Sequence, residues 1–303
     1  MLANQTLTRA RLLGRHRWPK AYLCRPITNN LKPLRQFDVR SKVITEVRGA
    51  WASRGRNNYP RLVHMLVYCL DRLGNPQPEA PFSQNQHSSF DDSLHYSKVD
   101  VVDAQDVDKA ISSIAGHHGR LDGLVAAAGI TRTKAALKHS QEDLEAVINV
   151  NLYGAFNSAT ATARRMLKFK TPGSIILVAS MSGLIANKGI FSPVYNASRA
   201  AVIQLRRNLA QEWEPVDAEG RGGIRVNNLS PGHIYTSMAK KAMQDNPRAK
   251  EVWEEGNMLG RISEPQEFRG AALFLMSDAS SYMTGAPLLL MADGLKIEPW
   301  NGY

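Results

Sequence analysis

The chain has 303 residues, of which 43% are hydrophobic, and a formal net charge of +11 at neutral pH. This length suits one large α/β domain with an extension, and no apolar run is long enough to cross a membrane. The two cysteines lack metal-ligand spacing, so the sequence predicts neither a metal site nor a disulfide framework.

The positive charge is concentrated at the N-terminus. Residues 1–35 contain eight Lys and Arg and no acid, which leaves 30 basic against 27 acidic residues elsewhere. We therefore expect no nucleic-acid partner. Residues 1–36 are interpreted as a basic extension, either a mitochondrial transit peptide or a disordered segment. Residues 37–303 are expected to form the domain, in a cytoplasmic protein unless the extension directs it to mitochondria.

The first half of the domain predicts short strands and one helix. In chain order these are strands Asp38–Ile44, Leu66–Asp71 and Leu94–Val101, helix Asp106–His118 and strand Gly123–Ala127. The strands are β-prone apolar runs that end in polar or turn-forming residues. Residues 74–93, rich in Pro, Gln, Asn and Ser, predict a surface loop.

The second half continues the alternation of helices and strands. Ser140 and Asp143 resemble a capping box and predict the start of a long helix. The predicted elements are helix Ser140–Lys168, strand Ser174–Ala179, helix Ser192–Trp213, strand Ile224–Leu229, helix Glu264–Met276 and strand Pro287–Met291. This order predicts a single α/β domain with a Rossmann-like, doubly wound parallel sheet that is covered on both faces.

The second half of the domain contains a serine just after a predicted strand and a tyrosine in the predicted helix that follows. Ser180 follows the strand 174–179, and Tyr195 comes fifteen residues later, with Arg199 four residues beyond it. Four residues make about one helical turn, so Tyr195 and Arg199 project from the same face. A phenol beside a fixed positive charge gives up its proton more readily, which suits proton transfer at a carbonyl oxygen.

Six short motifs occur along the chain in a characteristic order. They are Asp100-Val101, Ala126–Gly129, Asn149–Gly154, the Ser180/Tyr195 pair, Pro231–Thr236 and Asp293-Gly294. In these motifs the chain resembles the short-chain dehydrogenase/reductase family, from about residue 67 to residue 300. In finer detail it is similar to the fungal polyol and ketose dehydrogenases of the mannitol or D-arabinitol type.

The resemblance implies a role for each residue of the site. Tyr195 would be the general acid and base, and Ser180 would hydrogen-bond the carbonyl oxygen, with Ser182 as the alternative serine. Arg199 stands where the family has Lys. Asn151 would hold a water molecule through its backbone carbonyl; alternatively, it is a polar helix residue that faces solvent.

The resemblance also implies NAD or NADP as cofactor. Asp71 at the end of the second strand favours NAD, because a carboxylate hydrogen-bonds the ribose diol and repels a 2′-phosphate. Arg72 could instead pair with that phosphate. The other expected cofactor residues are Gly49, Gly55, Asp100, Val101, Ala127, Gly129, Tyr195, Arg199, Pro231, Gly232, Ile234 and Thr236.

The glycine-rich phosphate loop of the family is altered here. Gly49 and Gly55 keep its outer spacing, but Ser53 takes the middle position, and Pro60 interrupts the helix that should follow. The length between the first two strands is nevertheless preserved. We hypothesise a compensated frameshift or a mis-called exon boundary across residues 45–65, which resequencing of the transcript would test.

The leading interpretation is an NAD(P)-dependent oxidoreductase that interconverts a secondary alcohol and a ketone by hydride transfer. A polyol or ketose, or a secondary-metabolite carbonyl, is the expected small-molecule substrate. The alternative is a catalytically impaired pseudoenzyme retained as an oligomer subunit. The resemblance implies a homodimer or homotetramer built on the helices around Asn151 and Tyr195. Residues 237–258 are expected to form a lid, and His233 either contacts substrate or is structural.

Overall fold

Seven parallel strands form one sheet in the order β3-β2-β1-β4-β5-β6-β7. They are β1 Val43–Val47, β2 Leu66–Asp71, β3 Leu94–Lys98, β4 Gly123–Ala126, β5 Ser174–Val178, β6 Arg225–Pro231 and β7 Pro287–Leu290. The chain runs outward from β1 to β3 and then returns to the other side of β1 with β4. This confirms the predicted Rossmann-like parallel sheet and places its switch point between β1 and β4.

The computed structural model describes residues 42–47, 66–73 and 94–292, and all of them belong to one unit that spans residues 36–303. The predicted extension, residues 1–36, lies outside the described residues. The same holds for the predicted phosphate-loop glycines, Gly49 and Gly55, and for the Asp293-Gly294 motif.

Seven helices are found among the described residues. They are α1 Ala104–His118, α2 Gln141–Ile148, α3 Gly154–Phe169, α4 Pro193–Trp213, α5 Ser237–Asp245, α6 Ala249–Gly256 and α7 Arg269–Met276. The predicted capping box at the start of α2 is present, since Ser140 Oγ accepts from the Asp143 amide and the Asp143 carboxylate accepts from the Ser140 amide, each at 3.2 Å. Within the described ranges, every helix is too short or too polar to span a bilayer.

The sheet divides the apolar core into two parts. All five residues of β5 are buried, and successive side chains of a strand point to opposite faces. Ile175 and Leu177 join the larger cluster, which includes residues of α1, α3 and α4, whereas Ile176 packs with Leu275 and Met276 of α7. A continuous apolar strand is therefore explained by helices on both faces.

Several boundaries differ from the sequence predictions. The first strand is Val43–Val47 rather than Asp38–Ile44, so Thr45–Val47, the start of the segment 45–65, lie in a central strand. The third strand ends at Lys98, which leaves Asp100 and Val101 in the following turn. The predicted lid, residues 237–258, consists largely of α5 and α6.

Candidate active site

The segment after β5 is a tight turn that carries two serines. Ser180 is extended and caps the short 3₁₀ turn Met181–Gly183 by accepting a hydrogen bond from the Ser182 amide at 3.1 Å. The Ser180 hydroxyl donates to Ser182 Oγ, also at 3.1 Å. Both serines are buried. The turn therefore places two hydroxyl groups side by side at the carboxyl end of the sheet.

Gly183 lets this turn pack directly on helix α4. A Cβ atom added at Gly183 would lie 2.7 Å from both the Ala200 nitrogen and the Arg199 carbonyl carbon. These are backbone atoms of α4 and cannot move aside independently. Glycine at position 183 therefore allows residues 180–183, the serine turn, to pack closely against the helix that carries Tyr195.

Tyr195 and Arg199 lie one helical turn apart in α4, as the sequence predicts. The guanidinium carbon of Arg199 is 5.2 Å from the centre of the Tyr195 ring. Arg199 is 4% exposed, and its Nη1 donates to the carbonyl of Val178 at 3.0 Å. The Tyr195 hydroxyl makes no hydrogen bond with the part of the chain that the structure describes. It is thus available to a ligand beside a buried positive charge.

Asn151 joins α4 to the segment that follows β4. The α2–α3 helix contains a π-helical turn at Asn149–Tyr153, which the sequence did not predict. The buried amide of Asn151 accepts from the Ile130 amide at 2.8 Å, and it donates to the Ile130 carbonyl at 3.0 Å and to Ser198 Oγ at 2.9 Å. The alternative of a solvent-facing Asn151 is therefore wrong. Its side chain braces the site.

A cavity of about 160 Å³ opens between the serine turn, α4 and the segment after β6. Of the predicted site residues, it is lined by Ala127, Gly129, Ser180, Tyr195, Arg199, Pro231, Gly232, Ile234 and Thr236. Asn151 lies just behind this wall, because its Oδ1 would be 3.4 Å from a Cβ added at Gly129. The structure thus brings the predicted catalytic residues together around one cavity.

Three of the predicted cofactor residues, Asp71, Asp100 and Val101, lie along the same edge of the sheet but outside this cavity. Asp71 ends β2, and its carboxylate accepts from the Leu73 amide at 3.1 Å. The Asp100 carboxylate accepts from the Val102 amide at 3.0 Å. Val101 is buried, with a methyl group 2.7 Å from where a Cβ of Gly154 would stand. Both aspartates thus shape turns at the ends of the outer strands.

The structure adds polar and aromatic residues that the sequence prediction missed. They are Thr131, Thr133, Asn187 and Trp253, which all line the cavity. Burial alternates after Gly129, with the threonines partly buried and Arg132 exposed between them. This alternation was readable from the sequence. The positions of Asn187 and Trp253 depend on how distant segments fold back, which no local pattern reveals.

His233 and Trp253 form a stacked aromatic pair on the cavity wall. Their ring centres are 4.3 Å apart, and the ring planes differ by 15°. Burial lowers the pKa of His233 to about 4, so the imidazole is neutral at physiological pH. His233 therefore lies at the cavity, where its neutral ring forms part of the wall. This position supports substrate contact, the first of its two predicted roles.

Comparison with known proteins identifies the relatives of this chain. Residues 78–294 match a family model described as enoyl-(acyl carrier protein) reductase. The chain is 39% identical over 229 residues to the short-chain dehydrogenase/reductase notP′ of Aspergillus versicolor, covering 73% of this chain and 76% of that protein. It is 37% identical over 209 residues to the ribulose-forming D-arabinitol 2-dehydrogenase of Scheffersomyces stipitis, covering 68% and 73%.

The NADP-dependent mannitol dehydrogenase of Hypocrea jecorina is 34% identical over 193 residues, covering 64% of this chain and 68% of that protein. Among solved structures, a short-chain dehydrogenase/reductase from Mycobacterium marinum superposes with a TM-score of 0.72 at 28% identity. That match covers 86% of this chain and 97% of the other. The family match begins at residue 78, so the altered phosphate-loop segment lies outside it.

Proposed function

The chain belongs to the short-chain dehydrogenase/reductase family, and from this premise we propose that it interconverts a polyol and a ketose with NAD or NADP. The single observation that carries the proposal is one cavity at the carboxyl edge of the sheet, lined by Ser180, Tyr195 and Arg199 together. It is an NAD(P)-dependent oxidoreductase. A secondary-metabolite carbonyl would undergo the same chemistry in the same cavity.

Tyr195 and Ser180 act on the oxygen of the reacting carbon. In the reductive direction, Tyr195 donates its hydroxyl proton to the carbonyl oxygen as the alcohol forms, and in the oxidative direction it takes the proton back. Ser180 hydrogen-bonds the same oxygen and stabilises the charge that develops on it. The Tyr195 hydroxyl, without a partner among the described residues, is suited to this exchange.

Arg199 and Asn151 support the tyrosine from two sides. The buried guanidinium of Arg199 lies near the Tyr195 ring and places a positive charge beside the reacting oxygen. Asn151 bonds Ser198, whose hydroxyl donates to the Tyr195 carbonyl at 2.7 Å. The π-helical turn at Asn149–Tyr153 changes the backbone bonding around Asn151, which agrees with the proposed water held by its carbonyl.

The described residues fit a nicotinamide dinucleotide. Parallel sheets of this kind bind ligands beyond the carboxyl ends of the strands at the switch point, and Asp71, Asp100 and Gly129 follow β2, β3 and β4 there. A Cβ at Gly129 would collide with Nη2 of Arg199, so a larger residue there would have to displace the guanidinium. When bound, the nicotinamide supplies or accepts the hydride. The remaining contacts would come from Val101, Ala127, Pro231, Gly232, Ile234 and Thr236.

Two variants test the proposed function. Tyr195→Phe removes the phenolic proton and should lower kcat for D-ribulose reduction by about 10²- to 10⁴-fold. Tyr282→Phe removes an equivalent hydroxyl from a fully exposed residue and should change kcat little. Oxidation of NADH and NADPH is followed at saturating ketose. Equal kcat for the wild type and Tyr195→Phe would refute the assignment.

Assembly and location are proposed on separate grounds. We propose a homodimer or homotetramer in which α3 and α4 pair with those of a second copy. The exposure of Tyr153 and Phe156, 54% and 44%, supports an apolar contact on this side. Light scattering of the wild type and of Phe156→Lys compares their oligomeric states. A cytoplasmic location, with the mitochondrion as the alternative, rests on the sequence alone and is tested by imaging the full chain.

A further inference from the structure

The cavity exposes more apolar than polar surface, but its wall beside the serine turn carries several polar side chains and almost no charge. Thr131, Thr133, Ser182 and Asn187 contribute hydroxyl and amide groups, and the stacked His233–Trp253 pair contributes flat aromatic surface. Among the lining residues that the structure describes, none is a carboxylate. Arg199 is the one permanently charged lining residue in that set, and its Nη1 is bonded to the Val178 carbonyl. This wall suits a neutral, hydroxyl-rich ligand.

Ser182 and Asn187 are linked in a way that leaves groups for a ligand. Ser182 Oγ accepts from Ser180 Oγ at 3.1 Å and from Asn187 Nδ2 at 2.7 Å. Because Ser182 accepts from both neighbours, its own proton is not used within the trio. The Asn187 Oδ1 is buried and has no hydrogen-bond partner among the described residues. A buried acceptor without a partner is unfavourable, so a ligand that donates a hydrogen bond to it is favoured.

We propose that Ser182 and Asn187 form a subsite for a hydroxyl group on the carbon next to the reacting carbonyl. This rests on the proposed function and names its specificity. The ligand hydroxyl accepts the proton of Ser182 and donates its own proton to Asn187 Oδ1. Turning the Asn187 amide toward the cavity exchanges its bond to Ser182 Oγ for one in which Oδ1 accepts from the ligand hydroxyl, and the broad terminal torsion of Asn allows this turn. Ser180 then turns its proton from Ser182 Oγ to the carbonyl oxygen.

The spacing of the two serines supports this pairing. Ser180 Oγ and Ser182 Oγ lie 3.1 Å apart, close to the separation of two oxygens on neighbouring carbons when they point to the same side. One hydroxyl therefore meets the carbonyl oxygen, and the other meets the adjacent hydroxyl. The subsite selects α-hydroxyketones and vicinal diols, whereas a plain ketone leaves the Ser182 proton and Asn187 Oδ1 without partners. Sites built to hydrogen-bond a hydroxyl discriminate strongly against ligands that lack it.

The test compares D-ribulose with 2-pentanone, a five-carbon ketone without hydroxyls. Asn187→Ala and Ser182→Ala should each lower kcat/KM for D-ribulose by roughly 10- to 100-fold and for 2-pentanone by less than about 3-fold. Asn196→Ala is the matched control. Asn196 bonds Ser192 and the Ile185 carbonyl in the same region but does not line the cavity. This variant should change kcat/KM for D-ribulose and for 2-pentanone by the same factor.

Binding of D-arabinitol, measured by calorimetry without cofactor, gives a readout independent of turnover. Asn187→Ala should raise its Kd about 10-fold, and Asn196→Ala should not. Equal losses on both ketones in Asn187→Ala, or an unchanged Kd, would overturn the subsite. A wild type that reduces D-ribulose and 2-pentanone equally well refutes the subsite alone. A wild type that reduces neither ketone, yet binds D-arabinitol through Asn187, refutes the proposed function alone.

Discussion

At the scale of single residues, we expect the side chain at position 199 to set how fast Tyr195 transfers its proton. Arg199 keeps a positive charge near Tyr195, but its planar group donates to the Val178 carbonyl and lies against Gly129. Arg and Lys differ in bulk and in hydrogen-bond geometry. We expect Arg199→Lys to raise kcat by about 10-fold or more, because a compact ammonium can turn toward the ligand side of the cavity. Steady-state kinetics with the preferred cofactor measures this.

The matched control is Arg207→Lys. Arg207 is exposed on the same helix, bonds Gln204 and lies outside the cavity, so its replacement should leave kcat unchanged. Equal kcat/KM for the wild type and Arg199→Lys would show that the guanidinium serves the reaction as well as lysine does.

His233 links stability to pH. Burial lowers its pKa to about 4, below the unfolded value of about 6.5. The folded state therefore prefers the neutral ring, and its contribution is complete above about pH 6.5 and is lost as the pH falls toward 4. The full loss is on the order of 3 kcal/mol. Urea unfolding of the wild type and of His233→Phe, which keeps a ring against Trp253, measures it between pH 7 and pH 4.

The variant should lose less stability than the wild type over this range. Asp143 and Glu267 are present in both proteins and do not contribute to the difference in their loss of stability. Hydrogen bonds to Lys134 and to Arg261, respectively, lower the pKa of each carboxyl to about 2. Their contributions disappear at lower pH. Parallel stability curves for the two proteins would contradict a buried neutral His233.

At the scale of elements, the contact between the serine turn and α4 leaves no space for a side chain at position 183. We expect Gly183→Ala to destabilise the protein by about 1–3 kcal/mol, as overpacking does, because the new methyl group would meet α4 backbone. It should also lower kcat, since Ser180 and Ser182 move with the turn. Chemical denaturation and kinetics on the same preparations measure both effects.

Gly116→Ala is the control for this prediction. Gly116 lies within α1, and a Cβ there meets nothing within 4 Å. Alanine favours helix by about 1 kcal/mol over glycine, so this variant should be at least as stable as the wild type. A Gly183→Ala protein with unchanged stability and kcat would show that the turn can withdraw from α4 freely.

The sequence predicted elements where periodicity and caps act locally. Strand β2 was predicted with its observed bounds, and α4 was predicted within one residue. The π-helical turn at Asn149–Tyr153 was not, because the apolar pattern of a helix continues through it. The first strand was placed too early, although Val43–Val47 is itself rich in β-branched residues; the observed bounds are those that pair with β2 and β4.

At the scale of the whole molecule, the sequence predicted the sheet and the catalytic side of the site. The order of motifs carried that information, because parallel strands bring residues that follow them to one edge. The substrate side could not be predicted in the same way. Asn187 and Trp253 come from segments far apart in the chain and meet only after α6 has folded against the loop that follows the serine turn, where Trp253 Nε1 donates to the Lys188 carbonyl at 3.3 Å.

The central claim is that this cavity supports hydride transfer between a nicotinamide and a ketose carbon. The most direct measurement uses NADH and NADPH deuterated at C4 of the nicotinamide, with D-ribulose in ordinary water, and locates the deuterium by NMR. We expect a pentitol with one deuterium on the former carbonyl carbon from one face-specific label, and labelling at least about 100-fold slower when Tyr195→Phe replaces the wild type. A pentitol without deuterium from either face, or no reduction with either cofactor, would contradict the account.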